Sequence, residues 1–231
     1  EATALNPKMK PGENSASAAV LVAEARERQQ KRQGCANAFL DLPGLRRHCE
    51  LSKADEHWLD KLTAKHKQLV DAYSSNEGWP LGFTHTFLAT QNAAAGTHGA
   101  VLVLRHTAMP MALDHAVWAK YKIGESLKID DPATKKIAVK NPFYKPAPGT
   151  LLVDDMALDR LIARGVFVGA CNVALTVFSG MFAANAGVSK DVALKEWTAG
   201  IIPGISIIPS GTWGVNRAQE HGCSYCTGGG A

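Results

Sequence analysis

Residues 165–182, GVFVGACNVALTVFSGMF, decide the fold class of this 231-residue chain. The run Val166–Cys171 is almost continuously apolar, which is typical of a strand that is buried on both faces of a parallel sheet. A long apolar stretch of helical length follows directly after it. A buried strand that turns at once into a helix is the unit from which α/β folds are built.

Outward from this segment, short apolar runs alternate with helical stretches over residues 67–231, as βαβ units require. The other predicted strands are residues 68–73, 100–106, 204–210 and an edge strand in the terminal CSYC, residues 223–226. We therefore predict an α/β fold with a mainly parallel, five-stranded sheet flanked by helices. Residues 122–150 are rich in proline and lysine, and they are predicted to form an insertion loop.

Residues 1–66 are predicted to form a helical N-terminal extension that precedes the α/β domain. Residues 18–32 combine Ala, Glu, Arg and Gln, which are good helix formers. A second helix is expected to begin near Ser52, and its apolar residues recur at helical spacing as far as Leu69. That periodicity competes with the first predicted strand, which occupies some of the same residues.

Composition excludes several classes of protein. The chain is 46% hydrophobic and 20% charged, so it can bury a core. A formal net charge of +4 without a basic stripe makes nucleic acid an unexpected partner. No apolar run reaches the length of about 18 residues that a membrane span needs. The chain begins with Glu1 and carries no targeting segment, which fits either a processed or a truncated chain. The odd number of cysteines favours the first, so we expect a periplasmic or otherwise exported protein whose signal has been removed.

The five cysteines carry the most distinctive chemistry in the sequence. Cys35 and Cys49 mark the ends of a turn-rich connector, and a disulfide between them would close a loop of about 15 residues. Cys223 and Cys226 form a CxxC that begins two residues after His221. Because a structural zinc site needs four ligands and these residues supply three, metal binding and a structural disulfide both remain open.

The carboxyl ends of the predicted strands indicate where a site should lie, since open parallel sheets bind ligands there. Cys171 lies at a strand-to-helix turn, where unpaired N–H groups and the helix dipole favour a thiolate. The sequence therefore predicts Cys171 as a nucleophile, Asn172 as a residue that stabilises the thiolate, and His106 as a proton partner. The alternative is that Cys171 is a small buried apolar side chain and His106 a structural histidine.

Two segments, DRLIARGVFVGACNVAL and IIPGISIIPSGTWGVNRAQEHGCSY, resemble the DsrE/DsrF-like family of small α/β sulfur-relay proteins. The matching positions are Arg164-Gly165-Val166, Cys171-Asn172, Pro203-Gly204-Ile205 and Pro209-Ser210-Gly211. The resemblance implies that Cys171 carries a persulfide between partner proteins. It also implies assembly into a homo-oligomer, either a trimer or a hexamer.

Two functions from different classes follow. The first is a thiol-based sulfur-transfer or redox protein that uses Cys171 as nucleophile or persulfide carrier. The alternative is a non-catalytic binding or assembly subunit on a DsrE-like scaffold, with metal binding through the CxxC as a further option. Nucleotide and phosphate-loop motifs are absent from the sequence, so it requires no cofactor and identifies none.

Overall fold

The computed structural model describes residues 57–90 and 97–229. The chain divides into two compact units, Glu1–Cys49 and Glu50–Ala231. The helix predicted over residues 18–32 and the Cys35–Cys49 disulfide lie outside the described residues. The predicted boundary at residue 66 and the export of the chain stay predictions. Within the described ranges, none of the helices combines the length and the apolar character that crossing a membrane requires.

Helices and strands alternate along the described chain. The strands are β1 His66–Ala72, β2 His98–Leu104, β3 Phe167–Cys171, β4 Ile205–Ile208 and β5 Ser224–Thr227. The α-helices are α1 His57–Asp60, α2 Trp79–Thr90, α3 His115–Lys120, α4 Ile123–Leu127, α5 Leu158–Ala163, α6 Asn172–Phe182, α7 Lys190–Ala199 and α8 Gly211–Glu220. Short 3₁₀ segments cover Asn76–Gly78, His106–Ala112, Asp154–Met156 and Ala183–Ala186.

The five strands form one sheet in the order β4-β3-β2-β1-β5, and every neighbouring pair is parallel. The predicted α/β fold with a five-stranded parallel sheet is confirmed, including the edge position of β5. From β1 to β4 the chain crosses the sheet in one direction, so right-handed crossovers place their helices on one face. The return from β4 to β5 runs the opposite way and places α8 on the other face.

The sheet separates two apolar cores of unequal size. The larger core lies on the face that carries α2 to α7, and its largest fully buried side chains are Trp118, Trp197, Tyr121 and Phe143. The smaller core lies under α8 and includes Leu69, Val101, Val103, Ile208 and Ala218. Alternate residues of β1 and β2 point into the two cores, as the period of two in a strand requires.

The helical periodicity that runs on to Leu69 is wrong beyond α1, which ends at Asp60. Residues from His66 onward instead pair with β2 along the whole of β1. Leu69 and Val70 are both fully buried, one in each core, and only an extended chain places successive side chains on opposite faces. Burial of both faces of β1 and its pairing with β2 therefore outweigh the local helical spacing of the apolar residues.

The pattern of residues 111–121 predicts a helix, and the helix in the structure is shorter. A 3₁₀ segment ends at Ala112, and α3 begins only after Asp114, whose Oδ1 accepts a hydrogen bond of 2.9 Å from the Val117 N–H. Pro110 has no N–H to donate, but its carbonyl oxygen accepts a 2.7 Å bond from the Trp118 indole. These bonds replace the helical ladder that the sequence pattern predicts there.

The segment predicted as an insertion loop, residues 122–150, contains α4 and otherwise little regular structure. It is nevertheless fixed to the core. The Asn141 amide donates to the carbonyl oxygens of Met111 and Leu113 at 2.8 and 2.7 Å, and Phe143 is fully buried. A Cβ on Gly124 would collide with the backbone of Ala138, so glycine permits this close packing. The insertion is an integral wall of the domain.

Candidate functional site

The connections after β3 and β4 leave the sheet toward opposite faces. α6 packs into the larger core, whereas α8 packs into the smaller one. Open α/β sheets bind ligands at such a switch point, outside the carboxyl ends of the strands. A cavity of about 550 Å³ lies there, which we call the switch-point crevice. Its lining residues are Tyr73, Arg105, His106, Thr107, Cys171, Val173, Ala174, Val177, Phe178, Met181, Ser210, Gly211 and Thr212.

The start of α6 forms one wall of the crevice. The Sγ atom of Cys171 caps the helix by accepting a bond of 3.3 Å from the Ala174 N–H. Further along the helix, Val177 and Met181 present exposed apolar side chains at a spacing of four residues. The crevice is consequently lined mostly by apolar surface, which suits the hydrophobic part of a ligand.

The start of α8 faces this wall. Ser210 caps the helix, since its Oγ atom accepts a bond of 3.1 Å from the Trp213 N–H. Helix geometry leaves the first N–H groups, those of Gly211 and Thr212, outside the intrahelical ladder. A Cβ on Gly211 would lie 2.7 Å from Arg105 Cδ, so only glycine brings this helix end so close to the sheet. Two helix N-termini therefore supply positive partial charge to the crevice.

A charged network lies beneath the crevice. Arg105 donates two hydrogen bonds to Asp71, from Nε at 2.6 Å and from Nη2 at 2.9 Å, and Tyr225 donates a third at 3.1 Å. The hydrogen bond to Asp71 raises the pKa of Arg105 above its ordinary value. The guanidinium also lies 4.9 Å from the centre of the Tyr73 ring. This network fixes the ends of β1, β2 and β5 together.

His106 contributes an aromatic surface to the crevice. Its ring stacks on that of Tyr73 with centroids 4.1 Å apart, and it meets Phe178 edge-on at 5.8 Å. His106 has a φ of 48°, a left-handed conformation that is uncommon for a residue with a side chain. Its Nδ1 lies 3.4 Å from Thr107 Oγ1. The stack holds a planar ring at the mouth of the cavity.

The structure brings together two of the three residues that sequence reasoning selected as catalytic. Cys171 and His106 both line the crevice. Asn172 is buried at the start of α6 and is absent from the lining residues. Cys171 is only 5% exposed as a residue, which also fits the alternative of a small buried side chain. Catalytic roles for these residues stay predictions.

The predicted metal ligands point in different directions. Cys223 packs into the smaller core and Cys226 against the larger one, so the two thiols lie on opposite faces of the sheet. His221 Nδ1 lies 3.0 Å from the Arg217 carbonyl oxygen, and its Nε2 lies 3.6 Å from Asp60 Oδ1. Both thiols are free. Among residues 57–90 and 97–229, no group of three or more His, Cys, Asp and Glu side chains is placed to hold a metal ion.

Sequence reasoning missed the network of Asp71, Arg105 and Tyr225. A signal for it exists, because an acidic residue interrupts the apolar run of β1 and a basic residue follows the apolar run of β2. The register pairs Ala72 with Leu104, which puts Asp71 and Arg105 on the same face two positions apart. Opposite charges on one face of neighbouring strands predict an ion pair once that register is known.

Comparison with known proteins finds similarity over part of the chain. The family model for the C-terminal region of magnesium chelatase subunit ChlI matches residues 12–71, which is less than half of the chain. A 50-residue stretch is 50% identical to the uncharacterized protein YifB of Escherichia coli (strain K12). That stretch covers 22% of this chain and 10% of YifB, so the chain spans about a tenth of this curated relative. No solved structure matches.

These matches overturn the resemblance to the DsrE/DsrF-like family. The family match is to magnesium chelatase subunit ChlI, and neither match points to a sulfur-relay protein. The identification as DsrE-like is therefore wrong, and so is the function inferred with it, whether as a persulfide carrier or as an assembly subunit on such a scaffold. The two segments that carried the resemblance each contain a buried strand followed by a helix, and many unrelated α/β proteins share that arrangement.

Proposed function

We propose that the domain formed by residues 66–229 binds a small amphipathic anion in the switch-point crevice. The observation that carries this proposal is the meeting of two helix N-termini over a mostly apolar cavity of about 550 Å³. That volume lies within the range of about 300–1,000 Å³ that is usual for small-molecule sites. The apolar body of the ligand lies along α6, and its anionic group lies at the start of α8.

The charges around the crevice support an anionic ligand over a cationic one. Backbone N–H groups at the two helix starts attract negative charge. Asp71 lies beneath the cavity, but its carboxylate is already bonded to Arg105 and Tyr225. The exposed side chains of Val177 and Met181 complete the site, because contact with them removes apolar surface from water.

Anilinonaphthalenesulfonate, which joins an aromatic body to one sulfonate, is a suitable probe for the folded full chain. We expect saturable fluorescence enhancement at a single site. Thr212→Glu places a carboxylate at the start of α8, which leaves the helix stable and repels the sulfonate, so affinity should fall about tenfold or more. Asn216→Glu, an exposed position on the same helix outside the crevice, is the matched control and should bind as the parent does.

A second substitution tests the apolar wall. Met181→Glu should weaken binding of the probe. Val192→Glu, at an exposed apolar position on α7 outside the crevice, should leave binding unchanged. Near-ultraviolet circular dichroism of each variant must match the parent, because loosely packed states also bind this dye. Equal affinity in the parent, Thr212→Glu and Met181→Glu would show that the dye binds elsewhere and would refute the crevice as the site.

The match over residues 12–71 favours a second role, for that stretch alone. The matching family is named for part of a subunit of magnesium chelatase. We propose that residues 12–71 act as an assembly segment and that the chain forms a homo-oligomer. Light scattering on the full chain should give at least twice the mass of one chain at micromolar concentration. A monomer mass across the concentration range would refute this role and leave the proposal for the crevice intact.

A further inference from the structure

A second cavity system lies between the turn after β1 and the insertion. It consists of two adjoining cavities, of about 400 and 550 Å³, which share Glu77, Pro132 and Lys135 in their walls. We call them together the insertion groove. The smaller cavity is also lined by Ser75, Asn76, Leu127, Lys128, Ile129 and Asp130. None of these residues lines the switch-point crevice, so the groove is a separate place on the molecule.

The smaller cavity carries both signs of charge. Glu77 and Asp130 supply carboxylates, and Lys128 and Lys135 supply amines. All four residues are exposed, so a ligand can reach their charged groups from solvent. A ligand with one charge would be attracted by one pair and repelled by the other. A ligand that carries a carboxylate and an ammonium group next to each other matches both pairs.

The larger cavity is apolar where the smaller one is charged. Trp79 and Phe83 form an aromatic wall, with ring centroids 5.8 Å apart and planes inclined by 31°. The segment directly after the insertion contributes two exposed apolar side chains to the same cavity, Leu152, which is 81% exposed, and Val153. Exposed apolar side chains that gather around one cavity mark a binding surface more often than isolated ones do. This half of the groove suits a hydrophobic side chain.

The backbone around the charged half adopts conformations that are uncommon for residues with side chains. Asn76, Glu77, Lys128 and Lys135 have φ angles of 38°, 53°, 54° and 56°. In the described part of the chain, seven non-glycine residues have positive φ, and these four all line the groove. Such conformations persist where the surrounding structure enforces them, and they cluster at ligand sites. Three of these four residues are charged, Glu77 in the turn after β1 and Lys128 and Lys135 in the insertion, and all three line one cavity.

We propose that the insertion groove binds a free α-amino acid with an apolar side chain. The carboxylate of the amino acid pairs with Lys128 and Lys135, and its ammonium group pairs with Glu77 and Asp130. Its side chain enters the cavity between Trp79, Phe83 and Leu152. The proposal is independent of the ligand in the switch-point crevice, since the two cavities share no residue.

Isothermal titration calorimetry of the full chain tests this proposal with L-phenylalanine and L-leucine as probes. We expect saturable binding of both. Phenethylamine lacks the carboxylate and hydrocinnamate lacks the ammonium group, so each should bind about tenfold more weakly than L-phenylalanine. Glycine carries both charges without a side chain and should also bind more weakly. Equal affinity for phenylalanine and its two singly charged analogues would overturn the proposal, as would the absence of saturable binding.

Charge-neutral variants place the site on the molecule. Lys135→Gln should lower the affinity for L-phenylalanine about tenfold. Lys136→Gln, at an exposed neighbouring position outside the groove, should leave that affinity unchanged. Glu77→Gln and Glu125→Gln form a second matched pair, because Glu125 is exposed on α4 and does not line the groove. All four substitutions lie at exposed positions, so folding should be retained. Unchanged affinity in both Lys135→Gln and Glu77→Gln would refute the groove as the site.

Discussion

The switch-point crevice and the larger half of the insertion groove are similar in volume, at about 550 Å³ each, but they are constructed differently. The crevice is enclosed by strand ends, by one face of α6 and by the first turn of α8. The groove is enclosed on one side by residues 127–135 and 149–153, which are irregular apart from the end of α4 at Leu127. The hydrogen bonds between the parallel strands position the walls of the crevice. A few buried side chains position the irregular wall of the groove.

This difference indicates which substitutions should disturb the shape of each cavity. In the crevice, many backbone hydrogen bonds of the parallel sheet share the task of placing the walls. In the groove, Asn141 and Phe143 hold the insertion against the core with two amide hydrogen bonds and one buried ring. Loss of a single anchor should therefore affect the groove more than loss of a single wall residue affects the crevice.

Phe143→Ala should have the largest effect. The ring is fully buried against Trp118, with centroids 6.4 Å apart, and its removal leaves a cavity. We expect the free energy of unfolding to fall by about 4 kcal/mol in urea denaturation. At temperatures where the variant is folded, amino-acid binding should weaken while binding of anilinonaphthalenesulfonate persists.

Phe83→Ala is the control for this comparison, because that ring lies on the exposed wall of the groove. Its loss should cost less than about 1 kcal/mol, as is usual for surface substitutions. A cost for Phe143→Ala as small as that for Phe83→Ala would mean that the insertion is not anchored through the core.

Asp71→Asn, beneath the crevice, should have the next largest effect on the free energy of unfolding. The substitution leaves the Arg105 guanidinium without its carboxylate, although the arginine side chain is only 26% exposed. We expect a loss of about 3 kcal/mol in the free energy of unfolding, because removing one partner leaves a charge without compensation. Weaker dye binding should accompany it, since the network holds Tyr73 and His106 in place.

Asp155→Asn provides the comparison for that pair. It removes an ion pair with Arg160 in which both side chains are about half exposed or more, so solvent already screens the attraction. Its effect on unfolding should be small. If Asp71→Asn and Asp155→Asn destabilise equally, the network beneath the crevice contributes no more than a surface ion pair.

Glu196→Gln should have the smallest effect on the free energy of unfolding. Glu196 lines neither cavity, so the substitution should change stability without changing ligand binding. Lys120 donates to the Glu196 carboxylate at 2.7 and 2.8 Å and Tyr121 at 2.7 Å, and these bonds lower the pKa of Glu196. The unfolded chain therefore binds a proton at Glu196 at higher pH than the folded chain does. Stability from this group is present above its ordinary pKa of about 4.3 and is lost as the pH falls further.

Urea unfolding between about pH 6 and about pH 3 measures this contribution. Glu196→Gln should lose less stability on acidification than the parent, while dye and amino-acid binding at neutral pH stay unchanged. An equally steep acid loss in the variant would show that other carboxylates account for the pH dependence.

The fold could be predicted from sequence wherever burial is uniform. Val166–Cys171 and residues 100–106 are long apolar runs, and both correspond to central strands that the structure confirms with shifts of one or two residues. The strand predicted over residues 68–73 is confirmed by β1, but helical spacing as far as Leu69 competed with that prediction over the same residues. Local periodicity cannot resolve that competition, because pairing with β2 and β5 decides it.

The site was predicted in part. Cys171 and His106 follow from the rule for strand ends, and both line the crevice. Arg105 and Tyr225 were missed because their common partner Asp71 is 34 and 154 residues away along the chain. The family resemblance failed for a related reason, since a strand followed by a helix describes a fold and carries little information about function.

The sequence by itself determined the fold class, because the order of apolar runs and helical stretches permits few arrangements other than a parallel sheet. It also determined which strand ends carry polar or reactive side chains. Only the tertiary structure decided that the connections after β3 and β4 leave on opposite faces, which opens the crevice. It alone decided that residues 122–150 form a wall of the domain. Both decisions depend on contacts between residues far apart in the chain, and a linear pattern does not encode those contacts.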